Sequence, residues 1–173
     1  MENGITPQRT AAGPDPEEME KRAAGIARRV AGGGTTLQEE LGLDERALEA
    51  IYALAFNLYE QGKYEDARKI FGFLLILNPL VHKYWFGLAS AFRMAGDRER
   101  AAASYFLSTM TDAGRPEPYL YLAECLAVLG DREGAAEVLK KAVAAAETAG
   151  SARIGRRAAI MLEALERNGR EEG

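Results

Sequence analysis

The sequence has one cysteine and one histidine among 173 residues. That is too few for a zinc cluster, a disulfide framework or a thiol redox pair, and a single thiol fits a reducing compartment. Basic charge is not in excess either: 22 Lys and Arg stand against 26 Asp and Glu, a net charge of −4. This argues against a general nucleic-acid binder, which needs cations against phosphates. No long hydrophobic run is present. The longest, Ile70–Leu77, falls well short of the roughly 20 residues that span a bilayer, so no direct membrane insertion is expected. Residues 1–15 are polar, with Pro and Gly and no apolar h-region, and the expected compartment is the cytosol. What the chain does have is 47% hydrophobic and 28% charged residues, a soluble globular balance, and the length of one domain with tails.

Catalytic groupings are missing as well. His82 stands at a helix start beside Lys83, where an exposed position is expected, and Cys125 lies among apolar residues, where a buried thiol is inert. Gly32-Gly33-Gly34-Thr35 lacks the Gly-Lys-Ser/Thr ending of a phosphate loop. Asp and Glu are spread over faces that read as solvated. No enzyme, metal or cofactor is expected.

Helix signals fill the chain. Asp15-Pro16-Glu17-Glu18 reads as a cap followed by proline in the first turn, and Met19, Ala23, Ile26 and Val30 then form one apolar stripe. Three glycines, Gly32 to Gly34, end that helix, because each costs backbone entropy inside one. Thr36 with Glu39 predicts a capping box on a short helix ending near Gly42, and Asp44 can cap the next helix.

The centre repeats. Gly62, Gly96 and Gly130 are 34 residues apart, each followed by a charged string that ends in alanine at Ala67, Ala101 and Ala135. A 34-residue period with helix-turn-helix patterning is the tetratricopeptide signature. Counting from Leu48, His82 and Pro116, position four holds Ile51, Trp85 and Tyr119, and position seven holds Leu54, Leu88 and Leu122. Position eight holds Ala55, Ala89 and Ala123; position eleven Leu58, Phe92 and Leu126; position twenty-four Phe71, Tyr105 and Leu139. Small residues at eight and twenty let paired helices approach, and the large ones fill the space between helices and repeats. The expected fold is all-α: three tetratricopeptide repeats in a right-handed superhelical solenoid, with N-terminal helices and a C-terminal cap. The expected divisions are a tail over 1–14, an N-terminal helical segment over 15–43 and repeats over 48–81, 82–115 and 116–149. A capping helix over 150–168 and a tail over 169–173 follow. That last helix has an apolar face of Ile154, Ala158, Met161, Leu162 and Leu165, and its arginines, Arg153, Arg156 and Arg157, read as a solvated cap surface.

In stacked repeats of this kind the first helix of each lines the concave side. Positions two, five, nine, twelve and thirteen then face a groove. They are Glu49, Tyr52, Phe56, Tyr59 and Glu60 in repeat one, and Lys83, Phe86, Ser90, Arg93 and Met94 in repeat two. In repeat three they are Glu117, Leu120, Glu124, Ala127 and Val128. Tyr52, Phe56, Tyr59 and Phe86 put aromatic surface where a solvated face would carry charge. Such rings suit a binding groove for an extended, proline-containing peptide; the bland alternative is that some pack against the N-terminal helices. A clamp for a C-terminal carboxylate is excluded, because Tyr52 and Phe56 in repeat one and Glu117 and Tyr121 in repeat three cannot bind one by charge. The candidate peptide-binding residues are Tyr52, Phe56, Tyr59, Lys83, Phe86, Ser90, Arg93, Leu120 and Glu124.

The run from Leu54 to Ala67, LAFNLYEQGKYEDA, resembles the first repeat of the class II chaperones of type III secretion systems, the SycD/LcrH/IpgC type. The glycine run before Thr35, followed by an acidic short helix, is similar to the segment that precedes that repeat. Ala123-Glu124-Cys125-Leu126 resembles their third repeat, and the resemblance covers about residues 20–165. It implies a chaperone of the bacterial cytoplasm that holds hydrophobic translocator proteins soluble and ready for secretion. Its groove would take an extended Pro-x-Leu-x-x-Pro type segment, with aromatics matching Tyr52 and Tyr59 lining it and Phe86 facing it. The resemblance further implies a homodimer through the N-terminal helix and first repeat, and a transcription activator as a further partner. The sequence departs from the pattern in its tail through Pro14. It also has Ala113 and Glu147 where Pro79 ends repeat one. A repeat co-chaperone for a needle subunit, or a cofactor of a transcription activator, is the alternative.

Overall fold

The structure, a computed structural model, describes residues 16–171. The predicted tail over 1–14 and the predicted cap at Asp15 lie outside the described residues. The described chain is helical throughout: α1 (Pro16–Ala31), α2 (Leu37–Glu40), α3 (Glu45–Glu60), α4 (Tyr64–Leu77), α5 (His82–Met94), α6 (Arg98–Thr111), α7 (Pro116–Val128), α8 (Arg132–Thr148) and α9 (Ala152–Glu171). From α3 onward each helix packs on the next in chain order, so three helix pairs and a closing helix stack as a solenoid. The last helix runs past residue 168 to Glu171, and the segment read as a tail from 169 begins as its final turn.

The 34-residue period has a backbone cause. Gly62, Gly96 and Gly130 sit at φ of +75°, +89° and +87°, a left-handed conformation that side chains with a Cβ resist. At each, the glycine N–H and the next N–H fold back onto carbonyls of the preceding helix. Gly62 donates to Tyr59 and Lys63 to Leu58, both at 2.9 Å, with the same pairs at Gly96–Arg93 and Asp97–Phe92, and at Gly130–Ala127 and Asp131–Leu126. One motif, used three times, therefore closes the first helix of every repeat and sets the angle of the second. In repeats two and three the residue after the glycine also caps the next helix: Asp97 accepts from the Arg100 N–H at 3.0 Å and Asp131 from the Gly134 N–H at 2.8 Å. That backbone N–H and the Arg100 guanidinium hold the Asp97 carboxyl below its ordinary range.

Packing follows the repeat positions. Ala55, Ala89, Ala123, Ala67, Ala101 and Ala135 have no accessible surface, and Phe71, Tyr105 and Leu139 are buried in the core of successive repeats. Repeat one departs from this plan at its outer edge. Leu54 is 52% exposed while its counterpart Leu122 is buried. The reason is that α1 does not lie over α3; it meets α2, where Arg29 forks onto the Glu40 carboxylate with Nε to Oε1 at 2.7 Å. The predicted capping box is present at α2, with Thr36 and Glu39 bonded reciprocally, and Asp44 caps α3. Asn78 ties α2 to the end of α4 by donating to Gln38 Oε1 at 2.8 Å, and the Trp85 indole N–H donates to the Pro79 carbonyl at 2.8 Å. At the other end Ile154 and Ala158 of α9 are buried against α7 and α8 beside Leu120, Ala135 and Leu139. No described helix is long and apolar enough to cross a membrane.

Candidate functional site

The first helices of the three repeats run side by side, and a hollow of about 170 Å³ opens between them. Tyr52, Phe56 and Tyr59 reach it from α3, Phe86, Gly87, Ser90 and Arg93 from α5, Tyr121 from α7, and Phe71 from α4 beneath. A dry cavity of about 150 Å³ holds a benzene, so the space fits one ring or one branched aliphatic side chain.

The walls are rings braced on rings. Tyr52 stacks on Phe56 at a centroid distance of 6.5 Å and meets Phe71 edge-on at 5.8 Å and Tyr84 at 6.0 Å. Tyr59 meets Tyr64 edge-on at 5.5 Å. Across the hollow, Phe86, Tyr105 and Tyr121 contact one another at 5.6 to 6.0 Å. Offset and edge-on ring pairs hold orientation as well as area, so the walls are set before anything binds. Burial pushes the Tyr52, Tyr59 and Tyr84 phenols above their ordinary values and carries Tyr105 to about 12. All four stay neutral hydroxyls at physiological pH. Phe56 remains 46% exposed at the rim.

Gly87 makes the floor possible. A Cβ there would fall 2.5 to 2.8 Å from three atoms of the Phe71 ring. The missing side chain lets the ring lie against the α5 backbone, which closes the hollow from below.

Polar groups gather at one end. Arg93 Nε donates to the Tyr105 hydroxyl at 3.3 Å, and that hydroxyl lies 3.1 Å from Ser90 Oγ. The Arg93 guanidinium stands 4.8 Å from the Tyr121 ring centroid, within cation–π range. Beside it Glu124 is paired with Arg157 of α9.

Six of the nine predicted residues, Tyr52, Phe56, Tyr59, Phe86, Ser90 and Arg93, meet in this hollow. Lys83 lies on the far side of Tyr52, its ammonium 4.6 Å from that ring centroid and paired with Glu49. Glu124 lies next door, in a small recess with Arg93, Arg98 and Cys125. Leu120 corrects the sequence reading: it has no accessible surface. The cause is α9, whose Ile154 and Ala158 pack into the same cluster and cover repeat three where its groove face begins. Arg157 is exposed, as a solvated cap surface requires, and it also reaches back to pair with Glu124. His82 is half-buried, not an exposed helix start; its Nδ1 lies 3.1 Å from Ser108 Oγ. Cys125 is buried, and burial raises its thiol pKa.

Sequence reasoning missed Phe71 and Gly87 as lining residues, and it placed Tyr121 in the groove only to exclude a carboxylate clamp, not among the candidate binding residues. Gly87 and Tyr121 both stand at position six, which shares a helix face with positions two, nine and thirteen; a glycine and a tyrosine there were the available signal. Phe71 carried none, because its position in the second helix reads as core.

Three helix-turn-helix units with one turn motif and a shared concave face define a tetratricopeptide-repeat protein, and the tetratricopeptide-repeat family pattern matches residues 52–116. Among curated proteins, the low calcium response locus protein H of Yersinia pestis is 37% identical over 101 residues, 58% of this chain and 59% of that protein. The chain thus spans less than two thirds of that relative's length. Among solved structures, Pseudomonas aeruginosa PcrH in complex with the chaperone-binding region of PopD superimposes with a TM-score of 0.71 at 36% identity. That match covers 74% of this chain and 97% of PcrH. Yersinia enterocolitica SycD, a type III secretion chaperone bound to a peptide of the translocator YopD, gives 0.69 at 31% identity over 73% of this chain and 98% of SycD. The chain belongs to the class II translocator chaperones of type III secretion systems.

Proposed function

We propose that this protein binds hydrophobic translocator proteins of a type III secretion system in the bacterial cytoplasm. It keeps them soluble and competent for export, and acts by binding, without a catalytic step. The observation that carries the reading is the aromatic hollow on the first helices of three successive repeats. An extended segment of Pro-x-Leu-x-x-Pro type would lay an apolar side chain into it, between Tyr52, Phe56, Tyr59 and Phe86, with Ser90 and Arg93 at the polar end. Lys83 and Glu124 flank the path. Prolines keep such a segment extended before it binds, which lowers the entropy lost. PcrH and SycD bind PopD, PopB and YopD segments, and this support passes to the present chain through fold and family.

Co-expression with the translocators of the same secretion system tests the reading. A soluble complex of defined mass is expected with a translocator that is insoluble alone. If every such partner stays insoluble, the proposal fails.

The same reading includes a homodimer. On α1, Met19 is 53% exposed, and Ala23, Ile26 and Val30 extend its apolar stripe, of which Val30 at the C-terminal end meets α2 and the end of α4. A second copy would cover that stripe. Ile26→Glu is expected to reduce the mass found by light scattering from twice 18.8 kDa to the single-chain value; an unchanged dimer mass would refute the α1 interface.

A further inference from the structure

Three cations stand along the groove: Lys83, Arg93 and Arg157. Lys83 is paired with Glu49, and Arg157 with Glu124. Arg93 differs from both. It is half-buried, and among the described residues its side chain forms no ion pair, although Glu124 lines the same recess. Nε donates to the Tyr105 phenol at 3.3 Å, and neither Nη group is bonded to an acceptor among the described residues. A guanidinium offers five N–H donors in a planar fork, so most of its capacity is unused by the fold.

Its surroundings add positive charge. Arg98 donates to the Arg93 carbonyl at 2.7 Å and lines the same recess, where the one carboxylate, Glu124, is already taken by Arg157. Three guanidiniums thus face one carboxylate at this end of the groove, in a protein whose net charge is −4. The fold also holds Arg93 in place. The Tyr105 hydroxyl and the Tyr121 face fix the guanidinium plane at the edge of the apolar hollow. Burial works against its charge, and the Tyr105 and Tyr59 oxygens with Glu124 outweigh that effect.

We propose that Arg93 makes the groove selective for a client segment carrying an aspartate or glutamate beside its apolar anchor, bound by the free fork of the guanidinium. The inference rests on the groove reading above and adds to it a charge requirement. A carboxylate matches the fork in a bidentate manner, and the surrounding rings exclude the water that would screen the pair. A neutral amide or a main-chain carbonyl offers one oxygen and no charge, so it gains less at the same place.

The test uses labelled synthetic peptides with a Pro-x-Leu-x-x-Pro core and alanine elsewhere. One alanine at a time, within and beside the core, is replaced by glutamate, and each peptide is measured against its glutamine twin by fluorescence anisotropy on the full chain. At one position the glutamate peptide is expected to bind about tenfold tighter than its twin, the worth of one charge-assisted hydrogen bond. That ratio is expected to shrink in high salt, to fall near one in Arg93→Gln, and to recover in part in Arg93→Lys, which keeps the charge and loses the fork. Thermal melts of both variants control for folding. Binding with no glutamate preference at any position, or a preference that survives Arg93→Gln, overturns this inference and leaves the groove reading standing. If no peptide in the set binds the unaltered protein, the groove reading fails and the charge requirement fails with it.

Discussion

Phe71→Ala is expected to lower the unfolding free energy by about 3–5 kcal/mol, the loss typical of a fully buried phenylalanine. Total stabilities of about 5–15 kcal/mol make this a large fraction, visible as a marked fall in the urea midpoint. The ring has almost no accessible surface and joins two repeats. It belongs to α4 of the first, lies against Gly87 of α5 in the second, and supports Tyr52 edge-on. Removing it opens a void under the hollow, so the binding wall loses its brace together with the core. A midpoint shift worth less than about 1 kcal/mol would mean that the two repeats do not meet through this ring.

The close approach has a second side. Gly87→Ala would place a methyl 2.5 to 2.8 Å from the Phe71 ring, and overpacking of this kind costs about 1–3 kcal/mol. The two sites are in contact, so the effects should not add. Phe71→Leu, with a smaller and more adaptable side chain, is expected to relieve part of the Gly87→Ala loss. A double-mutant cycle that gives strict additivity would contradict the contact.

The second large effect falls on binding. Tyr52→Ala with Tyr59→Ala is expected to abolish measurable translocator binding. Central aromatic anchors are worth about 2 kcal/mol or more each, roughly thirtyfold in Kd per residue. Both rings stand on α3 about one turn from Phe56 and face the hollow. They differ in how much the fold depends on them. Tyr52 is braced by Phe71 and Tyr84 and carries Lys83 on its face, whereas Tyr59 rests mainly on Tyr64. The double variant is therefore expected to lose some stability while keeping its helical signal. Phe56→Ser, at the exposed rim, separates the two effects: it should weaken binding with little change in the melt. Full binding by both variants would move the client off this face.

Much of this protein could be read from its sequence, because repetition makes local chemistry redundant. Three glycines spaced by 34 residues each need a left-handed turn. Three alanine pairs each need close helices, and a capping box announces α2 through Thr36 and Glu39. These are short-range requirements met by backbone geometry and side-chain size, so fold class, helix order and the aromatic face of α3 and α5 were legible in advance. Three further features depended on contacts between residues distant in sequence. α9 folds back over repeat three and buries Leu120, though its position in the repeat matches that of Tyr52 and Phe86. Phe71 passes from core to groove floor only because Gly87 leaves room for its ring. Arg93, Lys83 and Arg157 carry the same charge in the sequence; Glu49 and Glu124 neutralise the latter two in space and leave Arg93 facing the hollow without an ion pair among the described residues. Periodicity determined the scaffold and the rings along it, while tertiary packing decided which positions are open, how deep the hollow is and which charge remains to meet a partner.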